Sequence, residues 1–396
     1  MTIISKTLTF DPETPPSSSP WNKLPDPLIG MILSWLPTAE FIRSRTVCRR
    51  WNSLPETVDF RKIITSRTPW DNNSSPWFML FSKTNAVVYN AYLNKWINLP
   101  VPVAAHKTLC WPVASDGGLV LYYNSKQKGF AVGNPILPRA WYELPPLWNV
   151  KCFEAAGLLV TNRDTCAYKI VIMGKNKALK DITESCGLVP PGCHPSNSNV
   201  VCCGTLYFWC DPDALVSFNM ESRKWERVTT IMPDELEKQT LISQALIQCE
   251  RRIFMIGACE EYSHREGVRV WILDVDNLSR TMQWVRYDEM PRELFKKFIG
   301  DGLSEILCVG CDDMCLLTTQ AGTMILTYGI QDRKWDSVPD YRTFSRLPVN
   351  SFIDGIAFWP RIDASPHSQH TDSIPDAENI PHLAPPKPYH HEISRM

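Results

Sequence analysis

The first pattern along the chain is helical. Between residues 21 and 60, apolar side chains recur three or four positions apart, which is typical of short amphipathic helices. Asp26-Pro27 is a favourable helix start, because Asp accepts hydrogen bonds from free amides and Pro fits the first turn. Pro37 ends this helix, and two further short helices are predicted, one after Thr38 and one around Trp51. The predicted apolar stripe of the first helix comprises Leu28, Ile29, Ile32, Leu33 and Leu36.

This helical unit is too small to be stable alone. Units below about 40 residues bury little apolar surface and usually need a metal, disulfides or a partner, and no Cys/His ligand set is present between residues 21 and 60. The apolar residues must therefore be covered by another protein or by the rest of the chain. The first case is an interaction module and the second is a helical cap on the following domain. A nucleic-acid contact is a further alternative, through Arg43, Arg45, Arg49 and Arg50.

From residue 77 to residue 360 the pattern changes to short β-like runs separated by turns. One element repeats, namely an aromatic or apolar residue, a polar turn, and then Trp followed closely by an apolar-Pro ending. The Trp residues of five clear copies are 45, 84, 59 and 51 residues apart, and the long step leaves room for a degenerate copy near residues 169–190. A period of about 50 residues is typical of kelch-type propeller blades. The five residues are Trp96, Trp141, Trp225, Trp284 and Trp335.

Six copies predict a mainly β fold, in which a six-bladed kelch-type β-propeller follows the helical unit. Residues 354–360 supply a closing strand that joins the first blade. We expect the tryptophans to pack between adjacent blades. Both ends of the chain are polar and rich in Pro, which indicates disorder. The predicted organisation is a disordered leader over 1–20, the helical unit over 21–60, a linker over 61–76, the propeller over 77–360 and a disordered tail over 361–396.

Composition narrows the classes of function. The 396 residues include 41 Lys+Arg and 42 Asp+Glu, for a net charge of −1, which argues against a chain that coats nucleic acid or an anionic membrane. No apolar run approaches the roughly 18 residues of a membrane-spanning helix. The 14 cysteines do not make a disulfide scaffold in a chain of this length. Some of them, such as Cys202 and Cys203, lie in apolar runs, where free thiols are expected to be buried. We therefore expect a cytoplasmic or nuclear protein.

The sequence predicts no catalytic residue, no cofactor-binding residue and no metal ligand. Cys308 and Cys311 form a Cys-x-x-Cys pair, but a structural zinc site normally has four ligands and the sequence has no second such pair. The three histidines of the β region are too far apart in sequence to suggest a copper centre. No Gly-x-Ser-x-Gly elbow and no phosphate-binding Gly loop is present.

Three segments of the helical unit resemble the F-box. They are Leu24-Pro25-Asp26-Pro27-Leu28-Ile29, then Ile32-Leu-Ser-Trp-Leu-Pro37, then Arg45-Thr-Val-Cys-Arg-Arg-Trp-Asn-Ser-Leu54. The resemblance implies docking to the Skp-type adaptor of a cullin-based ubiquitin ligase, and through the adaptor to the cullin. Gly30 departs from a good helix sequence, because a mid-helix Gly costs about 1 kcal/mol against Ala. The adaptor-binding residues implied by the resemblance are Leu24, Pro25, Leu28, Ile29, Leu36, Pro37, Val47 and Trp51.

The β region resembles the propeller of plant F-box/kelch-repeat proteins. The matching residues are Gly117-Gly118-Leu-Val-Leu-Tyr122, Gly133-Asn-Pro-Ile136 and Trp141-Tyr-Glu-Leu-Pro145. The resemblance implies a substrate-recognition subunit of an SCF (Skp–cullin–F-box) ubiquitin ligase. In that role the propeller binds a target protein for ubiquitination and proteasomal degradation, and other subunits supply the catalysis. The alternative is a propeller scaffold or transcription co-regulator that acts without ubiquitin transfer.

Overall fold

The structure of the chain is a computed structural model. Residues 1–19 of the predicted leader, residues 68–74 of the predicted linker and the predicted tail from residue 367 lie outside the described residues. The residues that the structure describes are 20–67, 75–81, 86–97, 110–137, 140–145, 153–174, 195–210, 214–232, 240–261, 264–275, 282–300, 306–319, 324–344 and 354–366.

Four α-helices form the N-terminal unit. Three of them occupy the predicted places, and the fourth corrects the prediction of a linker from residue 61. Phe60 and Ile64 lie one turn apart in this fourth helix and are only 2% and 6% exposed, so burial of this face stabilises a helix in spite of its Thr and Ser residues. The helices are α1 (Asp26–Leu33), α2 (Thr38–Ser44), α3 (Arg49–Ser53) and α4 (Val58–Arg67), with 3₁₀ turns at Pro20–Lys23 and Leu54–Glu56.

Among the residues that the structure describes, two short helices lie further along the chain, α5 (Arg292–Ile299) and α6 (Tyr341–Phe344). None of the helices that the structure describes has the length and apolar character needed to span a bilayer.

The remaining described elements are β-strands, grouped by hydrogen bonding into separate sheets. The first sheet contains β1 (Trp77–Phe81), β2 (Ala86–Asn90), β3 (Lys95–Ile97) and β22 (Asp354–Phe358). The second contains β4 (Cys110–Asp116), β5 (Leu119–Asn124), β6 (Gly129–Gly133) and β7 (Trp141–Glu143). The third is the pair β8 (Phe153–Asn162) and β9 (Ala167–Gly174).

The fourth sheet is the largest, with eight strands. Its first half contains β10 (Pro195–Cys202), β11 (Thr205–Cys210), β12 (Ala214–Asn219) and β13 (Lys224–Ile231). Its second half contains β14 (Thr240–Cys249), β15 (Arg252–Glu261), β16 (His264–Val275) and β17 (Met282–Glu289). The fifth sheet contains β18 (Ile306–Cys311), β19 (Met314–Thr319), β20 (Ile325–Gly329) and β21 (Lys334–Ser337).

These sheets form a β-propeller. Each antiparallel unit has one edge strand, which we call its first strand, that contacts the first strands of the two neighbouring units. These contacts close a ring in the order β22, β4, β8, β10, β14, β18 and back to β22. The predicted count of six blades is corrected, because the described strands form five sheets. The two halves of the fourth sheet are joined by a short parallel pairing of Thr230 and Ile231 with Met282 and Gln283, so hydrogen bonding continues from one antiparallel unit into the next.

The repeated Trp lies in the outermost strand of each four-stranded unit. Three copies place an aromatic residue seven positions before the Trp, and the two residues then face each other across neighbouring antiparallel strands. The ring centroids of these pairs are 4.2–5.3 Å apart. The pairs are Tyr89 with Trp96, Phe218 with Trp225 and Tyr328 with Trp335.

The end of the described chain closes the ring. β22 pairs antiparallel with β1, with Phe358 opposite Trp77, which confirms the predicted closing strand. The chain stays packed past residue 360, where the tail is predicted to begin. Ala364 is fully buried, and the side-chain amide of Asn134 donates to the carbonyls of Arg361 and Ala364 over 2.7 and 2.8 Å. Residues 361–366 are therefore fixed against the second sheet.

Candidate functional site: the exposed face of the first helix

Helix α1 is apolar on two faces. One face is buried: Ile29 and Leu33 are 0% and 3% exposed. Gly30 belongs to this face, and a Cβ added there would lie 3.2 Å from Cδ2 of Phe60. The absence of a side chain therefore allows α4 to approach α1 closely, which is the structural reason for the Gly that weakens the isolated helix.

The other face of α1 is exposed. Its side chains are spaced three and four residues apart, which places them on one side of the helix. They are large and apolar, and 43–75% of their surface is exposed. An exposed apolar patch of this kind marks an interaction site. The face comprises Leu28, Met31 and Ile32 of α1, and it continues onto Trp35 just past the end of α1 and Val47 beyond the end of α2.

Arg50 holds the start of α1 against α3. Its guanidinium is hydrogen bonded to the Asp26 carboxylate and to the backbone carbonyls of Leu24 and Trp21, the last two over 2.5 and 3.3 Å. The indole of Trp21 also meets that of Trp51 edge-on, with centroids 5.2 Å apart. Asp26 and Arg50 therefore fix the orientation of the exposed face, and this basic residue has a structural role within the unit.

The structure separates the eight residues that the F-box resemblance selects. Ile29 is wholly buried within the chain, so it supports α1 from inside and adds no surface for a partner. Its neighbour Leu28 is 44% exposed. The alternation arises because Leu28 and Ile29 lie about 100° apart around the helix axis. Of the remaining six residues, three are exposed, namely Pro25, Pro37 and Val47. The other three are half-buried, namely Leu24, Leu36 and Trp51.

Three residues of the exposed face are absent from that set: Met31, Ile32 and Trp35. Ile32 belongs to the predicted apolar stripe, but that prediction assigns all members of the stripe to a single face of the helix. The signal that separates the two faces is the presence of Phe60 and Ile64 in α4, since these residues cover Ile29 and Leu33. Trp35 is 75% exposed, and this exposure of a Trp is the strongest indication of a partner.

The helical unit shares its hydrophobic core with the propeller. Phe41 and Phe60 stack with centroids 5.2 Å apart, and the same cluster of buried residues includes Trp77 and Phe358 of the first sheet. Arg45 adds a polar contact, because its guanidinium donates to the carbonyl of Ile136 over 3.0 Å. The helical cap proposed from the sequence and the exposed interaction face thus coexist on opposite sides of α1.

The propeller offers a second candidate site at its centre. A cavity of about 560 Å³ lies between the first strands and is lined in part by Trp111, Gln244 and Leu307. Asp354 also lines it, with one oxygen accepting a 2.7 Å hydrogen bond from the amide of Gly355. Burial raises the pKa of Asp354 from 3.8 to about 6. The cavity is large enough for a side chain of a bound protein.

Acidic residues also lie at the tight turns between first and second strands. Asp116 accepts from the amide of Val160 over 2.7 Å, and Asp312 accepts from the indole nitrogen of Trp359. Burial raises the pKa of both carboxyls. These contacts tie adjacent turns together. Among the described residues, no group of three or more His, Cys, Asp or Glu is arranged to hold a metal ion.

Comparison with known proteins gives the helical unit a family. The F-box domain family matches residues 21–63. F-box only protein 6 of Arabidopsis thaliana is 27% identical over 340 residues, which cover 81% of this chain and 69% of that protein. An F-box/kelch-repeat protein of the same plant is 24% identical over 383 residues, which cover 87% of this chain and 90% of that protein. A solved structure described as a nidogen/laminin complex has a TM-score of 0.42 at 10% identity, covering 72% of this chain and 100% of that chain.

The helical match and the ring of sheets define an F-box protein that carries a β-propeller. Over 81–87% of its length the chain is similar to Arabidopsis F-box proteins, F-box/kelch-repeat proteins among them, which supports the plant F-box/kelch type. The resemblance drawn from the sequence is thereby confirmed. An F-box domain implies binding of a Skp-type adaptor.

Proposed function

We propose that this chain is a substrate-recognition subunit of an SCF-type ubiquitin ligase. The observation that supports the proposal most strongly is the exposed apolar face of α1 within a matched F-box. Leu28, Met31, Ile32 and Trp35 keep 43–75% of their surface exposed, and an adaptor that covered them would remove a large apolar patch from water. In this role the chain itself performs no catalysis, and we place it in the cytoplasm or the nucleus, where its free cysteines remain reduced.

The mechanism is proximity. The adaptor holds the F-box to the cullin, and the propeller holds the target, so that a lysine of the target stays near the ubiquitin-carrying enzyme. Raising the effective concentration in this way lowers a bimolecular barrier by several kcal/mol. The shared core of Phe41, Phe60 and Trp77 supports a rigid connection, because a flexible joint would dilute that gain.

The target site is proposed to lie at the centre of the propeller. The cavity beside Asp354 provides the concave, partly polar surface that a protruding side chain of a target needs. The target protein itself is to be identified by proximity labelling.

The test needs a chain that keeps its fold but loses the adaptor. Deleting the F-box is unsuitable, since its helices share a core with the first and second sheets. The double variant Ile32→Ala/Trp35→Ala changes only exposed positions. Proximity labelling with this variant should enrich proteins whose abundance falls, in a proteasome-dependent way, when the wild-type chain is expressed. If wild type and variant change the abundance of every labelled protein equally, the chain is a scaffold that works without ubiquitin transfer.

A further inference from the structure

The turn between β10 and β11 carries two adjacent cysteines in different surroundings. Cys202 ends β10 and is 7% exposed, as predicted for a thiol in an apolar run. Cys203 is exposed, which corrects the prediction that both thiols are buried. The φ angles of Cys203 and Gly204 are +50° and +75°, and Cys202 pairs with Thr205. This is a two-residue hairpin turn of the I′ kind, with Cys203 at its first corner.

Two donors are directed at the sulfur of Cys203. Arg251 lies in the corresponding turn between β14 and β15, and its Nε donates to Sγ of Cys203 over 3.4 Å. The thiol of Cys202 donates to the same sulfur over 3.8 Å. The cluster therefore combines one nucleophilic sulfur, a guanidinium from a neighbouring turn and a thiol donor, all at a solvent-accessible corner.

These contacts favour the ionised form of one thiol and the neutral form of the other. The hydrogen bond from Arg251 lowers the pKa of the Cys203 thiol, and the donor from Cys202 acts in the same direction. Burial raises the pKa of Cys202 to about 12, so Cys202 keeps its proton and remains a donor. An exposed sulfur whose ionised form is stabilised by a hydrogen bond from a cation has the features of a reactive cysteine.

We propose that Cys203 is a reactive cysteine and a site of oxidation by small peroxides, with Arg251 as its positioning residue. In the reaction with hydrogen peroxide, the thiolate attacks one peroxide oxygen, an S–O bond forms and the O–O bond breaks. The attacked oxygen keeps its hydrogen and the other oxygen leaves as hydroxide, which a buffer acid protonates to water, while the peroxide is reduced and the sulfur is oxidised by two electrons to a sulfenic acid. An added thiol condenses with the sulfenic acid to a mixed disulfide and water, and a second thiol then releases the free cysteine and leaves as a disulfide with the first.

The first test measures the rate at which iodoacetamide alkylates Cys203 in the native, full-length protein, by mass spectrometry of the derived peptides at several pH values. Arg251→Gln removes the guanidinium from an exposed position and should preserve the fold, which circular dichroism checks. We expect alkylation of Cys203 near pH 7 to slow by roughly threefold to tenfold, because the thiolate fraction falls. Cys48 is also exposed and serves as the internal reference, whose rate should not change.

The second test treats the protein with hydrogen peroxide in the presence of dimedone, which labels sulfenic acids. The wild type should carry the label on Cys203, and Arg251→Gln should carry several-fold less after the same time. Equal rates of Cys203 alkylation in wild type and Arg251→Gln would overturn the role of the guanidinium. A wild-type protein without dimedone on Cys203 under excess peroxide would overturn the oxidation site.

Discussion

The indole nitrogens of two equivalent tryptophans provide a quantitative test of the propeller repeat. Trp96 and Trp335 each face a tyrosine seven residues earlier across neighbouring strands. The Nε1 of Trp96 donates to the carbonyl of Pro339 over 2.5 Å, which links the first sheet to the end of the fifth. The Nε1 of Trp335 is buried, and no acceptor for it lies among the described residues.

Replacing each Trp with Phe removes the N–H group and a similar part of the ring. At Trp96 the change leaves the Pro339 carbonyl without its partner, and a lost hydrogen bond with an orphaned acceptor costs about 1–3 kcal/mol. At Trp335 the change removes a buried N–H group that has no acceptor among the described residues. Removing this group is favourable, and the gain offsets part of the stability lost with the packing of the indole. We therefore expect Trp96→Phe to lower the free energy of unfolding by about 1–3 kcal/mol more than Trp335→Phe.

The assay is equilibrium urea unfolding followed by circular dichroism, with both variants and the wild type measured side by side. The comparison between the variants cancels most of the common change in ring size. Equal losses of stability, or a larger loss for Trp335→Phe, would refute the assignment of the Trp96 hydrogen bond as the contact that joins the two sheets.

Two further predictions concern single side chains. Burial raises the pKa of Asp354 to about 6, so the folded state keeps a proton that the unfolded state releases near pH 4. The stability that the protonated carboxyl contributes is therefore lost as the pH rises through 6. The stability gain of Asp354→Asn in urea titrations should thus grow from near zero at pH 4 to at most about 3 kcal/mol at pH 7, whereas a gain independent of pH would contradict the burial argument. Gly118 has a φ of +87°, and an added Cβ would lie 2.6 Å from Cβ of Arg361, so Gly118→Ala should lower the free energy of unfolding by more than about 1 kcal/mol. Gly129, where nothing lies within 4 Å of an added Cβ, is the matched control, and a thermal melt in which both Ala variants behave alike would count against the close packing at Gly118.

The propeller could be predicted from the sequence because each repeat is formed by residues that lie close together along the chain. An aromatic residue, a turn and a Trp seven positions later lie on two neighbouring strands, so sequence spacing alone specifies which side chains meet. The joining of two units into one eight-stranded sheet depends on the backbone pairing of Thr230 with Met282. That pairing leaves no side-chain pattern, and the count of separate sheets therefore could not be read from the sequence.

The candidate site was predictable only in part for a related reason. Helical spacing identifies the apolar residues of α1, but it does not say which of two apolar faces the rest of the chain covers. Ile29 is buried because Phe60 of α4 packs near it, and α4 continues into a segment whose Thr and Ser residues favour a linker. Trp35, just past the end of α1, remains 75% exposed. Long-range packing, rather than local propensity, thus decides which residues face a partner.

The central claim is that the exposed face of α1 binds a Skp-type adaptor. The most direct measurement is the affinity of the purified full-length chain for a purified Skp-type adaptor by isothermal titration calorimetry. The wild type should bind, and Ile32→Ala/Trp35→Ala should lose at least about 2 kcal/mol, or roughly 30-fold in Kd. Tyr92→Ala, at a propeller residue that is 65% exposed, should bind like the wild type. A wild-type chain that does not bind the adaptor, or a double variant that binds it equally well, would contradict the account.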